Sequence, residues 1–153
     1  MGVLKGRTKN PMGRRIDELN AWADTHPVIA YWVPAILYAF GIFSLSSFSR
    51  PPTPPGAQET PFFAEYAHFF EYMFFGIILY VAFSSLKNVK LGYRAPALAI
   101  ITGVLYGASD EFHQTFVPGR SGTISDFLVD CLGVATAQLI FGIWYNIKLV
   151  NRQ

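Results

Sequence analysis

Four long apolar runs separated by short polar segments dominate the hydrophobic pattern of this 153-residue chain. The runs cover about residues 28–48, 66–86, 93–116 and 123–145, and the first contains no charged residue. Each run is long enough to cross the ~30 Å hydrocarbon core of a bilayer as an α-helix. Because backbone polar groups in lipid must be hydrogen-bonded internally, the pattern predicts an all-α fold, a polytopic four-helix bundle in a membrane.

The basic residues are distributed unevenly between the two sides of these runs. Ten of the 12 Lys and Arg residues precede the first run, lie between the second run and the start of the third (Arg94 included), or follow the fourth. The other two, Arg50 and Arg120, lie in the connections on the opposite side. Since cytoplasmic segments carry the excess of Lys and Arg, we expect a multi-pass protein of the cell membrane with both termini in the cytoplasm.

This topology divides the chain into three parts. Residues 1–27 form a basic cytoplasmic segment, residues 28–146 the transmembrane domain and residues 147–153 a cytoplasmic tail. In the first part, Ile16, Leu19 and Ala23 recur at helical spacing among charged residues, which is typical of an interfacial helix on the inner leaflet. Alternatively, the basic residues of this segment only set the topology, and the sequence leaves both interpretations open.

Composition agrees with a membrane protein and excludes several other classes. Only 14% of the residues are charged and 52% are hydrophobic, whereas soluble domains carry about 25% charged residues. The net charge of +2 excludes a nucleic-acid-binding module. Cys131 is the single cysteine of the chain, so it forms no disulfide within the chain.

The ionisable residues inside the runs are confined to one depth, the predicted outer end of the bundle. A charge near lipid is costly unless it faces other helices or water, so we expect these residues to face one another. Asp126 and Asp130 are four residues apart and share a helix face, as do Asp110 and Gln114. The polar candidates are His68, Glu71, Tyr72, Asp110, Glu111, His113, Gln114, Arg120, Asp126 and Asp130.

Several chemistries are open to this set of residues. Carboxylates together with His68 and His113 could hold a divalent metal that activates water or polarises a phosphoryl group. Arg120 could bind a phosphate or carboxylate through its planar fork. A histidine beside a carboxylate could act as a general acid or base. In a purely structural role, Arg120 would bridge carboxylates of the third and fourth helices.

Two groups of motifs resemble the VanZ-like family of membrane proteins. The first is the ordered series D-E-F-H-Q at 110–114, F-V-P-G-R at 116–120 and aspartates at 126 and 130 before Gly133. The second is H-F-F-E-Y at 68–72, ahead of an apolar run that contains Gly76. The resemblance extends from about residue 44 to residue 142. It departs at Glu65, where many members have lysine, and Asp130 stands where some members have asparagine.

The resemblance implies a small bacterial or archaeal membrane protein, and it implies no particular reaction. The family takes its name from a protein associated with teicoplanin resistance. Its motifs fall on almost the same positions that the charge pattern selects. The matching positions are His68, Glu71, Tyr72, Asp110, Glu111, Gln114, Pro118, Arg120, Asp126 and Asp130.

The leading hypothesis is an outward-facing polar pocket that binds an anionic or glycosylated envelope lipid, or a lipid-linked cell-wall precursor. Such binding would contribute to teicoplanin-type glycopeptide resistance. Arg120 would bind the anionic group, and Glu71 and Asp126 would orient Arg120. The other expected binding residues are Tyr72, Gln114, Asp130 and His113.

Two alternatives are kept beside this hypothesis. The first is a membrane-embedded hydrolase or transferase acting on a lipid-linked phosphate or glycan, with Glu71, Asp110, Glu111 and His68 as catalytic residues. The second is a structural partner of an envelope enzyme, for which the Pro-rich segment 49–61 is the candidate contact. A divalent metal cofactor and the oligomeric state both stay open, and the expected partners are membrane lipids rather than nucleic acid.

Overall fold

The computed structural model describes residues 10–49, 56, 63–86 and 94–150. Within these residues the chain forms five α-helices and a π-helical turn, and it contains no strand. The elements are α1 Pro11–Thr25, the π-helical turn Val28–Trp32, α2 Val33–Ser46, α3 Phe63–Ser84, α4 Arg94–Gln114 and α5 Ile124–Val150. The all-α fold class predicted from the sequence is confirmed. Apart from Ser49 and Gly56, the Pro-rich segment 49–61 lies outside the described residues.

Three helical segments are long and apolar enough to cross a membrane. They are Val28–Ser46, Phe63–Ser84 and Ile124–Phe141, and they correspond to three of the four predicted runs. The remaining run, at about residues 93–116, forms α4, which has 21 residues and is therefore about 30 Å long. Its last turn carries buried Asp110, Glu111 and Gln114, which lowers its apolar character. The fourth span and the cytoplasmic location of the termini stay predictions.

The core lies between α3, α4 and α5, which pack closely on one another, while α2 packs on α3 and α4. Glycines permit this approach. A Cβ at Gly133 of α5 would overlap the carbonyl oxygen of Phe69 on α3, and one at Gly103 of α4 would lie 2.8 Å from Val134 on α5. Small residues at these crossings let helix backbones approach closely, as in membrane bundles. The helices are therefore held in a defined rotation and axial register.

The outer surface of the bundle is apolar. On α2 the exposed residues include Ile36, Leu37 and Phe40, and on α5 they include Leu132 and Leu139. Lipid-facing helices show this arrangement, because hydrocarbon does not penalise exposed apolar side chains. The helix surfaces thus agree with the membrane spans identified by length and composition.

The N-terminal part begins with a capped helix that buries no residue. Asn10 accepts a hydrogen bond from the Gly13 N–H at 2.7 Å, and Pro11 occupies the first helical position, which is a favourable N-terminus. The helix expected from the spacing of Ile16 and Leu19 is present, and its position at the inner leaflet stays a prediction.

A π-helical turn joins this region to α2. The Val33 N–H donates to the Val28 carbonyl, five residues back, and Pro34 follows without an N–H. Wide turns of this kind accommodate proline inside a continuous helical path.

Candidate functional site

The polar residues predicted from the sequence gather at one end of the bundle. Four helix termini meet there: the end of α2, the start of α3, the end of α4 and the start of α5. Hydrogen bonds link these termini through Ser46, His68, Glu111 and Asp130. The structure therefore brings several of these residues into contact with one another, and their common depth in a membrane stays a prediction.

His68 and Asp130 form an ion-pair contact between α3 and α5. The distance from His68 Nδ1 to Asp130 Oδ1 is 3.0 Å, and the side chains are 14% and 2% exposed. A buried carboxylate at this position fixes the orientation of the imidazole ring and selects its tautomer. The pair resembles the histidine–carboxylate arrangement used in general acid–base chemistry and in metal sites.

Asp110 lies at the centre of a second buried group of polar atoms. Its Oδ2 accepts a hydrogen bond from the Ser46 hydroxyl at 2.8 Å and another from Gln114 Nε2 at 3.1 Å. Ser46 is the last residue of α2, so this contact ties α2 to α4. Sequence reasoning missed Ser46, because a serine at the end of an apolar helix usually bonds only to a carbonyl of its own helix.

Glu111 connects α4 to the start of α5. Its Oε2 accepts a hydrogen bond from the Thr123 N–H at 2.8 Å, and its Oε1 accepts one from Gln114 Nε2 at 3.3 Å. Thr123 in turn caps α5, since its hydroxyl oxygen accepts from the Asp126 N–H at 3.0 Å. Thr123 was also missed, although a threonine three residues before an acid is a recognisable helix N-terminus signal.

Arg120 is placed by a tight turn after α4. The Arg120 N–H donates to the Val117 carbonyl at 3.0 Å, and Gly119 between them has φ +82°. Pro118 at the second position and a positive φ at the third identify a type II turn. The turn brings the half-buried Arg120 side chain back to the last residue of α4, Gln114.

The partner of Arg120 differs from the expected one. Both Nε and Nη2 donate to Gln114 Oε1, at 3.2 and 2.7 Å. We expected Glu71 and Asp126 to orient Arg120, but among the described residues its side chain donates to Gln114 alone. The tight turn leaves Arg120 only six residues beyond Gln114, close enough to reach this amide. The predicted bridge from Arg120 to carboxylates of two helices is likewise absent from the described residues.

The remaining predicted residues lie around this centre. Tyr72 is fully buried, and its ring edge lies 3.3 Å from the position a Cβ of Gly107 would take. Glu71 is half-buried one turn after His68, and its main-chain carbonyl accepts from the Tyr38 hydroxyl at 3.1 Å. Asp126 is half-buried in the first turn of α5.

His113 turns away from the cluster toward α2. Its Nε2 lies 3.0 Å from the Ser47 hydroxyl, and its ring packs on Phe43 with centroids 4.5 Å apart. It directly precedes Gln114 on α4, so its side chain projects about 100° around the helix axis from that of Gln114. The structure therefore does not bring His113 and His68 together as a pair of metal ligands.

One group in the described part of the chain has the composition of a metal site. His68, Glu111 and Asp130 each offer one ligand atom, and these atoms all lie within 4.8 Å of one another. The same end of the bundle contains buried polar atoms without a hydrogen-bond partner among the described residues. These atoms are Tyr72 OH, Asp110 Oδ1 and Asp130 Oδ2.

A shallow groove of about 280 Å³ opens beside Glu111 on the outer surface between α4 and α5. Most of its wall is apolar, with Phe112 and Ile124 strongly exposed. The lining residues are Ala108, Glu111, Phe112, Thr115, Gly122, Thr123, Ile124 and Phe127. The groove thus joins an apolar surface to the polar end of the bundle.

The comparisons with known proteins identify the family. The family model described as VanZ/LLP1 matches residues 16–145. The chain belongs to the VanZ/LLP1 family. The matched region of this VanZ/LLP1 protein includes every candidate residue from His68 to Asp130, and the resemblance drawn from the motifs is confirmed. Family membership and three apolar helices make the chain a multi-pass membrane protein. No curated protein and no solved structure matches it significantly.

Proposed function

We propose that this VanZ/LLP1-family protein binds the anionic headgroup of an envelope lipid, or of a lipid-linked cell-wall precursor, at Arg120. The proposal is based on the hydrogen-bond partner of the Arg120 guanidinium. Arg120 is held by the neutral amide oxygen of Gln114 rather than by a carboxylate. Its position is fixed while its positive charge stays available for an anion.

The unused donors of Arg120 suit a phosphate or carboxylate group. A guanidinium carries five N–H donors in a planar fork, and Gln114 engages two of them. Among the described residues, the other donors have no acceptor. A guanidinium that is held through the N–H donors of one edge can bind an anion through paired hydrogen bonds from another edge.

The groove between α4 and α5 supports a lipid rather than a free anion. It begins at Glu111 and Thr123, close to the turn that carries Arg120, and continues along exposed Phe112 and Ile124. An acyl or prenyl chain could lie along this apolar wall while its headgroup contacts the polar end. Amphipathic ligands are bound in this way when apolar and polar surfaces are continuous.

The outward orientation of this end is part of the proposal. It follows from the ten basic residues on the opposite side and requires α4 to cross the membrane as a fourth span. The surface of α4 supports such a span, because Ile101, Leu105 and Phe112 are exposed on it. Access to a lipid-linked precursor outside the membrane is also the basis on which we infer a contribution to teicoplanin-type glycopeptide resistance.

Lipid retention by the purified full-length chain tests the headgroup contact. We expect native mass spectrometry to show about tenfold less bound anionic lipid for Arg120→Ala, because a charge-assisted hydrogen bond contributes about 1.5–3 kcal/mol. Arg120→Lys should give an intermediate value, since it keeps the charge and loses the fork.

The matched control is Arg94→Ala, which removes an exposed arginine at the other end of α4. It should retain lipid as the unmodified chain does. Equal retention by Arg120→Ala and Arg94→Ala would contradict the proposal.

A hydrolase or transferase acting on a lipid-linked phosphate or glycan is the second candidate. The His68–Asp130 pair supports it, because the carboxylate could orient the imidazole as a general acid or base. Glu71, Asp110 and Glu111 stay the proposed carboxylates of that reaction. Analysis of the retained lipids for cleavage products separates this candidate from simple binding.

A further inference from the structure

We propose that His68, Glu111 and Asp130 form a binding site for a divalent transition-metal cation of the zinc class. The three residues come from three different helices: His68 from α3, Glu111 from α4 and Asp130 from α5. One ligand atom from each lies within 4.8 Å of the other two. This proposal does not depend on lipid binding at Arg120.

One pair of the ligand atoms already has a spacing close to that around a bound cation. Ligand atoms about 2.0–2.2 Å from Zn²⁺ in tetrahedral geometry lie roughly 3.3–3.6 Å apart. His68 Nδ1 and Asp130 Oδ1 are already 3.0 Å apart. A metal in this position would replace the proton that the two atoms share, and Glu111 would complete the set by a side-chain adjustment.

Unpartnered buried oxygens provide a second and independent observation. Asp130 is 2% exposed, and its Oδ2 has no hydrogen-bond partner among the described residues. Asp110 is 3% exposed, and its Oδ1 is also without one. A buried carboxylate oxygen that lacks a partner is strongly disfavoured. A cation bound at Asp130 would offset this cost.

The charge balance of the same region points to a cation. Glu71, Asp110, Glu111, Asp126 and Asp130 are all buried or half-buried at this end of the bundle. Among the described residues, the basic side chains beside them are His68 and Arg120, and Arg120 contacts an amide. Buried charges of one sign are found mainly where they are paired or bind metals.

The donor types select the class of metal. One imidazole nitrogen and two carboxylate oxygens suit Zn²⁺ and similar transition ions, whereas Mg²⁺ prefers oxygen ligands alone and retains its waters. Three protein ligands leave one position of a tetrahedral ion open, which is the pattern of catalytic rather than structural zinc sites. The open position would accept water or an oxygen of a bound ligand.

Metal binding by the full-length chain in detergent tests the site. The chain is purified with a tag that contains no histidine, stripped with chelator and titrated with Zn²⁺ in the absence of added lipid. We expect saturable binding of about one ion per chain, measured by elemental mass spectrometry, with Mg²⁺ failing to compete. His68→Gln and Asp130→Asn should each weaken binding about tenfold or more.

The matched control is His113→Gln, which removes a histidine at the same end that contacts Ser47 instead of the cluster. It should bind Zn²⁺ as the unmodified chain does. The proposal is overturned if the unmodified chain binds no Zn²⁺, or if folded His68→Gln binds as tightly as His113→Gln.

A spectroscopic measurement covers the case in which the ligand variants do not fold. The variant carrying both His26→Gln and His113→Gln retains His68 as its single histidine. With Cu²⁺ as the probe, pulsed electron paramagnetic resonance should detect the remote imidazole nitrogen of His68. Absence of that nitrogen signal would contradict coordination by His68.

Discussion

Gly133 and Gly41 both lie in apolar helices, but their surroundings differ completely. A Cβ at Gly133 would overlap the carbonyl oxygen of Phe69 and lie 2.9 Å from the Met73 nitrogen, both of them backbone atoms of α3. A Cβ at Gly41 would meet no atom within 4 Å. Backbone atoms cannot move aside as a flexible side chain can, so the α3–α5 contact requires glycine at 133.

Substitution of Gly133 should lower stability, whereas substitution of Gly41 should not. Gly133→Ala should lower the free energy of unfolding by about 1–3 kcal/mol, because overpacking forces α3 and α5 apart. Gly41→Ala should be neutral or raise it by up to about 1 kcal/mol through higher helix propensity. Thermal unfolding of both variants in one detergent measures the difference. A Gly133→Ala variant as stable as Gly41→Ala would contradict close packing of α5 on α3 at Gly133.

The α4–α5 connection determines where Arg120 is presented. Val117, Pro118 and Gly119 close the type II turn, and the positive φ of Gly119 allows the chain to reverse within it. A residue with a Cβ adopts this conformation at a cost of about 1–2 kcal/mol, and asparagine tolerates it better than alanine. The headgroup proposal therefore depends on the geometry of a turn as well as on Arg120 itself.

Variants of this turn test that dependence. Gly119→Ala should lower stability by about 1–2 kcal/mol and reduce retention of anionic lipid, because the turn can no longer hold Arg120 against Gln114. Gly119→Asn should lie between Gly119→Ala and the unmodified chain in both respects. Unfolding midpoints and native mass spectrometry measure the two effects.

Ser121→Ala serves as the control for this series, since Ser121 is an exposed neighbour in the same connection. It should change neither property. Unaltered lipid retention in Gly119→Ala would show that the turn does not position the headgroup contact.

At the scale of the whole molecule, the basic residues are distributed unevenly between the two predicted sides of the membrane. Along the sequence, Arg50 and Arg120 lie in the connections after the first and third apolar runs, whereas the other ten basic residues lie in the segments predicted to be on the opposite side. The positive-inside rule then predicts that the candidate site lies at the outer leaflet. All inferences about a wall precursor depend on this orientation, and it can be measured directly.

Cysteine labelling in intact cells measures the orientation. In a Cys131→Ala background, Ser121→Cys should react with a membrane-impermeant reagent, because the predicted topology puts the α4–α5 connection outside. Asn20→Cys and Asn88→Cys should react only after the cells are opened. If only one of Asn88→Cys and Ser121→Cys is labelled in intact cells, the two ends of α4 lie on opposite sides of the membrane and α4 spans it. Labelling of Asn20→Cys and Asn88→Cys, but not of Ser121→Cys, in intact cells would place the site in the cytoplasm and contradict the wall-precursor hypothesis.

Much of the fold and part of the site follow from local patterns in the sequence. Runs of apolar residues predict the helices, because hydrocarbon requires internally bonded backbone over a length that matches the bilayer. The spacing of Asp110 with Gln114 and of Asp126 with Asp130 predicts shared faces, since residues four apart lie on one side of a helix. Both inferences require only the covalent order of the chain and the helical period.

The partners of the polar side chains were decided by tertiary structure alone. Which atoms meet depends on the rotation and axial register of each helix, and these are set by contacts such as that of Gly133 with Phe69. For this reason Arg120 bonds to Gln114 rather than to Glu71, and His113 faces Ser47. For the same reason, one ligand each from α3, α4 and α5 meets in the His68–Glu111–Asp130 group, because no spacing within one helix relates residues on different helices.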